Sequence, residues 1–385
     1  MRISTINDDK GLEIKFIRFG IDFPKVFPYI MPRFYDKEAA LLRPDKNFFF
    51  KTGMFKGWVA LDGDKVVGRI AAMINPDIHF EKRAVGLIGL YEAESDYEIT
   101  RQLIDAAVSF LKEKKCTYIW GPMSFSIWHG YRFKIDCFED TPCIGEPQNP
   151  PYYPEYFKKY GFAPSHEWES HFIDCAGMQK IRDSNQEQYE LFKRLGYQAE
   201  KAANKKLLHI CWQLIMKIFK DFPGFSYIAE EDLLTLYEDI PYLMEKNASF
   251  FIKDPRGDYV GFVLVLKDLV AAITAMRGET DFLAKVRFKL NENKSETVNL
   301  YLAGFKYTAV REALRMARQK YNRPLSLGKV ILYLTLREVL KSGRYKYAVL
   351  PLMRRDVPTR NWVRKLSVKI THHAMFELKI PQNAT

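Results

Sequence analysis

One segment of the sequence combines the groups that bind phosphate. From Lys320 to Val330 the chain carries three cations, a serine hydroxyl, one glycine and the start of a predicted helix. The unpaired N–H groups and the positive end of a helix attract phosphate oxygens. We predict that a diphosphate binds the backbone N–H groups of this helix start and two of its side chains. The backbone groups belong to Leu325, Ser326, Leu327, Gly328 and Lys329, and the side chains to Arg323 and Lys329. A basic helix cap without a ligand is the alternative.

A second candidate site lies in the segment 124–150, which follows a predicted strand. Loops at the open end of a sheet commonly shape substrate clefts, and this one is rich in aromatic and charged side chains. We predict substrate contacts from Trp128, Tyr131 and Asn149. His129 is a candidate general base. A lone histidine in a loop is also commonly a solvated or packed residue, so that alternative stays open.

The composition predicts a folded protein with more than one domain. The chain has 385 residues, of which 47% are hydrophobic and 15% aromatic; at about 150 residues per domain, two or three domains are expected. The net charge of +12 favours phosphate-bearing partners without choosing among coenzymes, tRNA and anionic lipid. The N-terminus lacks a signal-peptide pattern, and no run of about 18 apolar residues predicts a membrane span. We expect a cytoplasmic protein without membrane insertion.

The cysteines and histidines predict neither disulfides nor a metal site. The five cysteines are odd in number and lack the close spacing of a zinc knuckle. His372 and His373 are adjacent, and successive side chains of a strand point to opposite faces, which disfavours joint ligation. We predict no metal.

The same order of elements occurs twice along the chain. In the first half, a hairpin around Asp62–Lys65 precedes a buried strand, a helix and a strand that ends at Pro122. In the second half, a hairpin around Asp254–Asp258 precedes the same elements, and the last of them ends at Pro351. A closing helix and strand follow in both halves, so the chain is predicted to contain two copies of one fold.

Residues 177–242, between the two copies, are predicted to be helical. The stretch Asn204–Phe219 carries a stripe of apolar residues on one face, with lysines beside it. Contact with a membrane surface is one interpretation of this pattern. We favour a linking helix packed against one or both domains, because amphipathic helices usually cover a core.

The order hairpin, strand, helix, strand, helix, strand resembles the GNAT (acyl-CoA N-acyltransferase) fold. The chain resembles two such domains in tandem, with mixed α/β sheets. It is similar to a bacterial group of double-domain GNAT-like proteins whose substrates are mostly unassigned. The most specific segments are Val67–Ala72 with Asn75, Gly121–Ser126, and Asn149–Tyr153 leading to Lys159–Phe162. The resemblance implies an N-terminal domain at 1–176, a helical linker at 177–242 and a C-terminal domain at 243–385.

The resemblance also implies where a donor and a catalytic group would lie. In this fold the coenzyme pyrophosphate lies on the start of the third helix. The first-half counterpart, Tyr91–Glu98, has four carboxylates and no glycine, so we predict that it has lost the donor site. Acetyl-CoA or another acyl-CoA is then expected at Arg323–Lys329, with Asn361 at the pantetheine arm. Tyr153 and Tyr152 occupy the neighbourhood of the tyrosine that often protonates the departing thiolate in GNAT enzymes.

Three functions follow as hypotheses. The leading one is an acyl-CoA-dependent N-acyltransferase that acetylates a small or medium amine in a cleft between the domains. The second takes an aminoacyl group from charged tRNA, which the basic residues between Arg315 and Lys365 would bind. The third is a non-catalytic binding protein built from degenerate domains. The sequence does not identify the amine, the acyl chain or the oligomeric state.

Overall fold

The structure is a computed structural model, and it describes residues 1–81, 83–202, 206–356 and 358–380. The first half runs to Asp174. Its elements are β1 (Arg2–Thr5), α1 (Lys10–Asp22), α2 (Tyr35–Ala40), β2 (Met54–Asp62), β3 (Lys65–Phe80), β4 (Arg83–Ala93), α3 (Tyr97–Glu113), β5 (Tyr118–Gly121), β6 (Phe133–Lys134), α4 (Tyr152–Tyr160) and β7 (Ala163–Asp174).

The remaining elements repeat this order with additional helices. They are α5 (Cys175–Ser184), α6 (Gln186–Arg194), β8 (Gln198–Lys201), α7 (Lys206–Ile218), α8 (Glu230–Leu236), α9 (Ile240–Leu243), β9 (Phe250–Lys253), β10 (Tyr259–Lys267), α10 (Val270–Ala275), α11 (Phe282–Asn291), β11 (Thr297–Phe305), α12 (Tyr307–Tyr321), α13 (Leu327–Ser342), β12 (Tyr347–Arg354), α14 (Pro358–Arg364) and β13 (Lys369–Lys379).

Local sequence signals account for the ends of the helices that matter for the site. Asp96 caps α3 by accepting an N–H of the first turn, and the apolar residues at helical spacing from Ile99 to Leu111 are buried. Ser326 caps α13 in the same way, and α13 ends at Gly343, whose φ of 65° suits glycine. The hairpin between β2 and β3 turns at Gly63, which also has positive φ.

The strands form one continuous sheet across both halves. Its order is β1-β2-β3-β4-β5-β13-β7-β12-β11-β10-β9-β8, and β6 pairs with β13 beside this path. The pairs β4–β5 and β11–β12 are parallel and occupy corresponding positions in the two halves. In the first half, α3 and α4 cover one face and α1 covers the other.

The last strand of the chain belongs to the first half of the sheet. In β13, Phe376 is paired with Gly121 of β5, and Thr371 is paired with Ser170 of β7. β7 then pairs with β12 of the second half through Phe172 and Val349. The second copy therefore completes the sheet of the first, and the two halves share their central strands.

The segment 177–242 differs from its prediction. It contains α5 to α9 but also β8, which pairs with β9 at the edge of the sheet. The short sequence 198–201 gives little local signal, and its pairing to β9 decides its conformation. β8, α7 and α8 correspond in order to β1, α1 and α2, so the second repeat of elements begins near residue 198.

Helix α7 packs against the second half of the sheet. Its buried residues Cys211, Leu214 and Ile215 share a hydrophobic cluster with Phe262 of β10. Asn204 and Lys205, which the sequence placed in this helix, lie outside the described residues. Within the described ranges, no helix has both the length and the apolar character needed to cross a bilayer.

Candidate functional site

A cavity of about 1070 Å³ lies between the two halves. The second half contributes Leu300–Phe305, Gly328 and Leu350–Arg354 to its wall. The first half contributes the segments 127–133 and 145–149, and α7 and α8 add apolar side chains. The volume is in the range of small-molecule and cofactor sites, and the two halves complete it jointly.

In the second half, the two parallel strands separate where they reach the cavity. β11 and β12 are paired from Thr297 and Tyr347 as far as Asn299 and Val349. Beyond this point no pairing joins them in the described chain, and the later residues of both strands line the cavity. In an antiparallel ladder alternate backbone groups point away from the partner strand. Part of the backbone of β11 therefore faces the gap rather than β10.

In the first half, the corresponding gap is closed. The Met123 N–H donates to the Ile88 carbonyl at 2.7 Å, and the Leu90 N–H donates to the Ser124 hydroxyl at 3.1 Å. A Cβ atom at Gly89 would lie 2.5 Å from the Met123 carbonyl oxygen, so the two backbones are in direct contact. An extended ligand arm has no room between β4 and β5.

The predicted phosphate site at the start of α13 is partly occupied by protein contacts. Gln188 accepts the Ser326 N–H at 2.8 Å, and the Ser326 hydroxyl accepts the Lys329 N–H at 3.5 Å. Leu327 and Gly328 provide the remaining N–H groups of the first turn, and Gly328 lines the cavity. Helix-start amides next to a cavity are suited to phosphate oxygens.

The side chains predicted around this helix start are on the protein surface. Arg323 is exposed and forms an ion pair of 2.8 Å with Glu187. The Lys329 ammonium lies 5.6 Å from the ring centroid of Trp362. Asn361 is exposed, and its side-chain oxygen accepts a hydrogen bond from Arg360 at 3.0 Å; it does not line the cavity. Leu325 is buried in the core of the second half.

The tyrosines of α4 lie in different surroundings. Tyr153 lines the cavity and is buried; its hydroxyl donates to Glu92 at 2.9 Å and accepts the Ala93 N–H at 3.0 Å. Burial, reinforced by the charge of Glu92, raises the pKa of Tyr153 well above its usual value. The Tyr152 hydroxyl donates to the Ala93 carbonyl at 2.8 Å, and Tyr152 does not line the cavity. Tyr153 and Gly328, which come from different halves, thus line one cavity.

His129 lines the cavity among aromatic rings. It stacks on Phe48 and meets the edge of Phe125, with a 3.3 Å contact from Nδ1 to the Ser126 hydroxyl. Burial lowers the pKa of His129 to about 4. The imidazole is therefore neutral at pH 7 and, as a base, weaker than an ordinary histidine.

The three predicted substrate residues also line the cavity, but two of them are engaged elsewhere. The Asn149 side chain accepts the Lys134 N–H and donates to the carbonyls of Lys134 and Pro150. Trp128 donates its indole N–H to the Ser226 carbonyl at 2.9 Å. Tyr131 packs edge-on against Trp168. Asn149 holds the loop in place, whereas Tyr131 presents an aromatic surface to the cavity.

The sequence analysis missed a buried ionic cluster on the wall of the cavity. Arg69 is fully buried in β3, 2.6 Å from Glu38 and 3.9 Å from Glu92. Arg33 pairs with Glu92 at 2.5 Å. Tyr153 donates to the other oxygen of Glu92, so the cluster continues to the predicted catalytic tyrosine. The sequence signal for this cluster is Arg69, a charged residue inside the otherwise apolar strand segment Val67–Ala72.

Two charged residues of the loop 124–150 were given no role by the sequence analysis. Arg132 and Glu146 are both buried and both line the cavity. Gly145 precedes Glu146 with a φ of 90°, and a Cβ there would lie 2.7 Å from the ring of Tyr301. Ile144 accepts a hydrogen bond from Asn299 of β11 at 2.8 Å. The loop of the first half therefore forms part of the wall of the second-half gap.

Comparison with solved structures identifies this arrangement. A tandem GNAT protein from the clavulanic acid biosynthesis pathway, solved without AcCoA, aligns with a TM-score of 0.52 at 10% identity, over 99% of this chain and 100% of that one. This chain has a tandem GNAT-like fold. No family model and no curated protein matches the sequence.

Two further solved structures support the tandem GNAT-like fold. A conserved protein of unknown function from Enterococcus faecalis V583, designated Probable N-Acyltransferase, aligns with a TM-score of 0.50 at 9% identity, over 99% of this chain and 73% of that one. A GCN5-related glucosamine N-acetyltransferase region of a fungal multi-domain GH3 β-N-acetylglucosaminidase aligns with a TM-score of 0.50 at 12% identity, over 98% of this chain and 38% of that one. The predicted fold class is confirmed.

Several basic residues of the second GNAT-like half converge on one buried carboxylate. Arg360 contacts Glu169 at 2.7 Å, and Arg355 and Arg364 lie 3.5 and 3.8 Å from it. These three arginines therefore surround and compensate an internal negative charge. Among the described residues, no group of three or more His, Cys, Asp or Glu side chains is placed to hold a metal ion.

Proposed function

We propose that the protein is an N-acyltransferase that takes an acyl group from an acyl-CoA bound in the second half and transfers it to an amine in the central cavity. The separation of β11 and β12 beyond Asn299 and Val349 carries this proposal, because it leaves a gap between the strands that opens onto the cavity. The first half has no equivalent gap, since Met123 and Ser124 contact β4 there. The proposed enzyme therefore has one donor site, in the second half, and one acceptor cavity that both halves share.

The residues around the gap are suited to an acyl-CoA. The amides of Leu327 and Gly328 would bind phosphate oxygens, and the exposed backbone of β11 would bind the amides of the pantetheine arm. Arg323 would add a cation by exchanging its exposed partner Glu187 for phosphate. When bound, an acyl-CoA supplies a reactive thioester, from which the acyl carbon passes to the amine nitrogen as its C–S bond breaks.

The protein itself must hold the amine, accept its proton and protonate the departing sulfur. Tyr153 is our candidate for the last role, because its raised pKa keeps the hydroxyl protonated at neutral pH. Glu146 is a candidate for accepting the proton of the amine, because its carboxylate lines the cavity beside the second-half gap. His129 is a weaker base than an ordinary histidine, since burial lowers its pKa to about 4.

Isothermal titration with acetyl-CoA tests the donor site. We expect the parent protein to bind, and the double variant Arg323→Ala, Lys329→Ala to bind at least about tenfold more weakly, since charge-assisted contacts to phosphate contribute about 1.5–3 kcal/mol each. Arg315→Ala removes a cation from α12, at an exposed position that does not line the cavity, and serves as the control. If the parent protein binds no acyl-CoA, the donor assignment is wrong and a non-catalytic role is favoured.

Variants of Tyr153 and Tyr152 test which hydroxyl protonates the departing sulfur. Tyr153→Phe should reduce turnover about 100-fold, within the range of general acid–base contributions, and leave acetyl-CoA affinity nearly unchanged. Tyr152→Phe removes the neighbouring hydroxyl, which bonds a carbonyl outside the cavity, and should leave turnover within about threefold of the parent. Equal turnover of the parent and Tyr153→Phe would reject the role.

A further inference from the structure

Arg132 differs from the other buried arginine of the cavity in having no ionic partner. Its side chain is 8% exposed, and within the described chain no carboxylate lies within 4.0 Å of it and its Nη1 atom has no hydrogen-bond partner. Arg69, on the same cavity wall, has Glu38 at 2.6 Å. The protein thus neutralises Arg69 internally and leaves a second guanidinium without a direct ion pair among the described residues.

The surroundings of Arg132 fix its position without supplying a counterion. Its guanidinium carbon lies 3.8 Å from the ring centroid of Tyr131 and 4.4 Å from that of Trp168. Its backbone N–H donates to the Pro122 carbonyl at 2.9 Å, which anchors the loop. Aromatic faces stabilise a cation by about 0.5–2 kcal/mol, less than the several kcal/mol that burial of an unpaired charge costs. The part of the burial cost of Arg132 that the rings do not offset would be offset by a bound anion, which indicates an anion-binding position.

Glu146 supplies the opposite charge to the same cavity. It is buried and farther than 4.0 Å from Arg132, so the two do not form an ion pair. Its carboxylate accepts the Cys143 N–H at 2.9 Å, contacts the Thr371 hydroxyl at 3.4 Å and lies 4.0 Å from His373. Arg132 and Glu146 line one cavity without forming a direct ion pair, so together they are complementary to a molecule that carries both charges.

We propose that the acceptor is an amino-carboxylate, whose carboxylate binds Arg132 and whose amine lies toward Glu146. A guanidinium forms two parallel hydrogen bonds with a carboxylate, which makes this anion the best match for a planar cation held against two aromatic rings. The apolar residues that α7 and α8 contribute to the cavity would surround an apolar side chain of the acceptor. The proposal rests on the proposed N-acyltransferase function for the role of the amine.

Binding without a donor tests the carboxylate site separately from the donor site. The probes are L-phenylalanine, L-leucine and L-tryptophan, each compared with its carboxamide by isothermal titration in the absence of acyl-CoA. We expect the parent to bind at least one amino acid about tenfold or more tightly than its carboxamide, and Arg132→Gln to abolish this preference. Arg315→Gln is the control, because Arg315 is an exposed cation of α12 that does not line the cavity; it should retain the preference.

Thermal unfolding of the free protein distinguishes a ligand-binding role from a structural one. If Arg132 is held for a ligand, Arg132→Met should leave the midpoint unchanged or raise it, because it removes an uncompensated buried charge. Arg69→Met should lower the midpoint, because Glu38 loses its cation at 2.6 Å and shares Arg33 with Glu92. A fall of equal size for both variants would overturn the proposal.

Two further outcomes would also overturn it. One is the absence of an Arg132-dependent preference for the carboxylate across all three pairs of probes. The other is an Arg132-dependent preference of the parent for succinyl-CoA over acetyl-CoA, which would place the carboxylate on the acyl group instead of the acceptor. Failure of acetyl-CoA to bind would affect only the proposed donor site, since the amino acid titrations contain no donor.

Discussion

The packing of α1 onto the buried arginine of β3 allows a quantitative test. At Gly20, a Cβ atom would lie 1.9 Å from the guanidinium carbon of Arg69 and 2.1 Å from both of its terminal nitrogens. Arg69 cannot move away freely, because it is fully buried, contacts Glu38 at 2.6 Å and donates to the Phe16 carbonyl at 3.2 Å. The helix therefore needs a glycine at the point where it crosses the ionic cluster.

The expected sizes follow from these contacts. Gly20→Ala gains about 1 kcal/mol of helix propensity but forces the guanidinium out of its position, at a cost of about 1–3 kcal/mol for overpacking together with weakened ion pairs. We expect a net loss of about 1–3 kcal/mol. Arg69→Leu should cost about 3–5 kcal/mol, because Glu38 and Glu92 are then left with Arg33 as their shared cation.

The double variant decides whether the two effects share one cause. Leucine does not reach the space above Gly20, so in the Arg69→Leu background Gly20→Ala should become neutral or stabilising, with a coupling energy of about 1–3 kcal/mol. Urea unfolding followed by tryptophan fluorescence and circular dichroism measures all four proteins. Gly11→Ala, elsewhere on α1, is the control and should change stability by less than about 1 kcal/mol. Additivity of the two changes within about 0.5 kcal/mol would refute the reasoning.

Three more predictions concern stability and titration. Phe376→Ala should lower the free energy of unfolding in urea by about 3–5 kcal/mol, because this residue of β13 is buried in the core of the first half. A loss below about 1 kcal/mol would contradict the placement of β13 in the first half of the sheet. Burial alone would raise the pKa of Glu38, but the charges of Arg69 and Arg33 outweigh it and hold the pKa below 4.5. Its contribution to stability is therefore present above about pH 4.5 and lost as the pH falls through the folded pKa, and Glu38→Gln should flatten the acid limb of the stability curve. NMR titration should give His129 a midpoint of about 4. As the pH falls from 6.5 toward 4, the imidazole becomes protonated in the unfolded protein but not in the folded one, so this residue lowers the free energy of unfolding over that range. A midpoint near 6.5 would exclude its burial.

The sequence alone determined the order of elements and the nature of the helix starts. The hairpin with the Asp62-Gly63 turn, the apolar spacing of α3 and the cap at Ser326 are local patterns, because backbone propensity and side-chain period act over a few residues. The acidic start of α3 and the basic start of α13 were also visible as sequence. They predict a donor site in the second half rather than in the first.

The tertiary structure alone decided which residues share a site. β13 completes the first half of the sheet by pairing with Gly121 and Ser170, which lie more than 190 residues earlier in the chain. Short-range sequence patterns do not specify such distant partners. Tyr153 and Gly328, which are 175 positions apart in the sequence, line one cavity in the folded protein. Arg132 was one of many arginines in the sequence. Only packing shows that it is buried against two aromatic rings without an ion-pair partner among the described residues, because desolvation and pairing depend on neighbours that folding brings together.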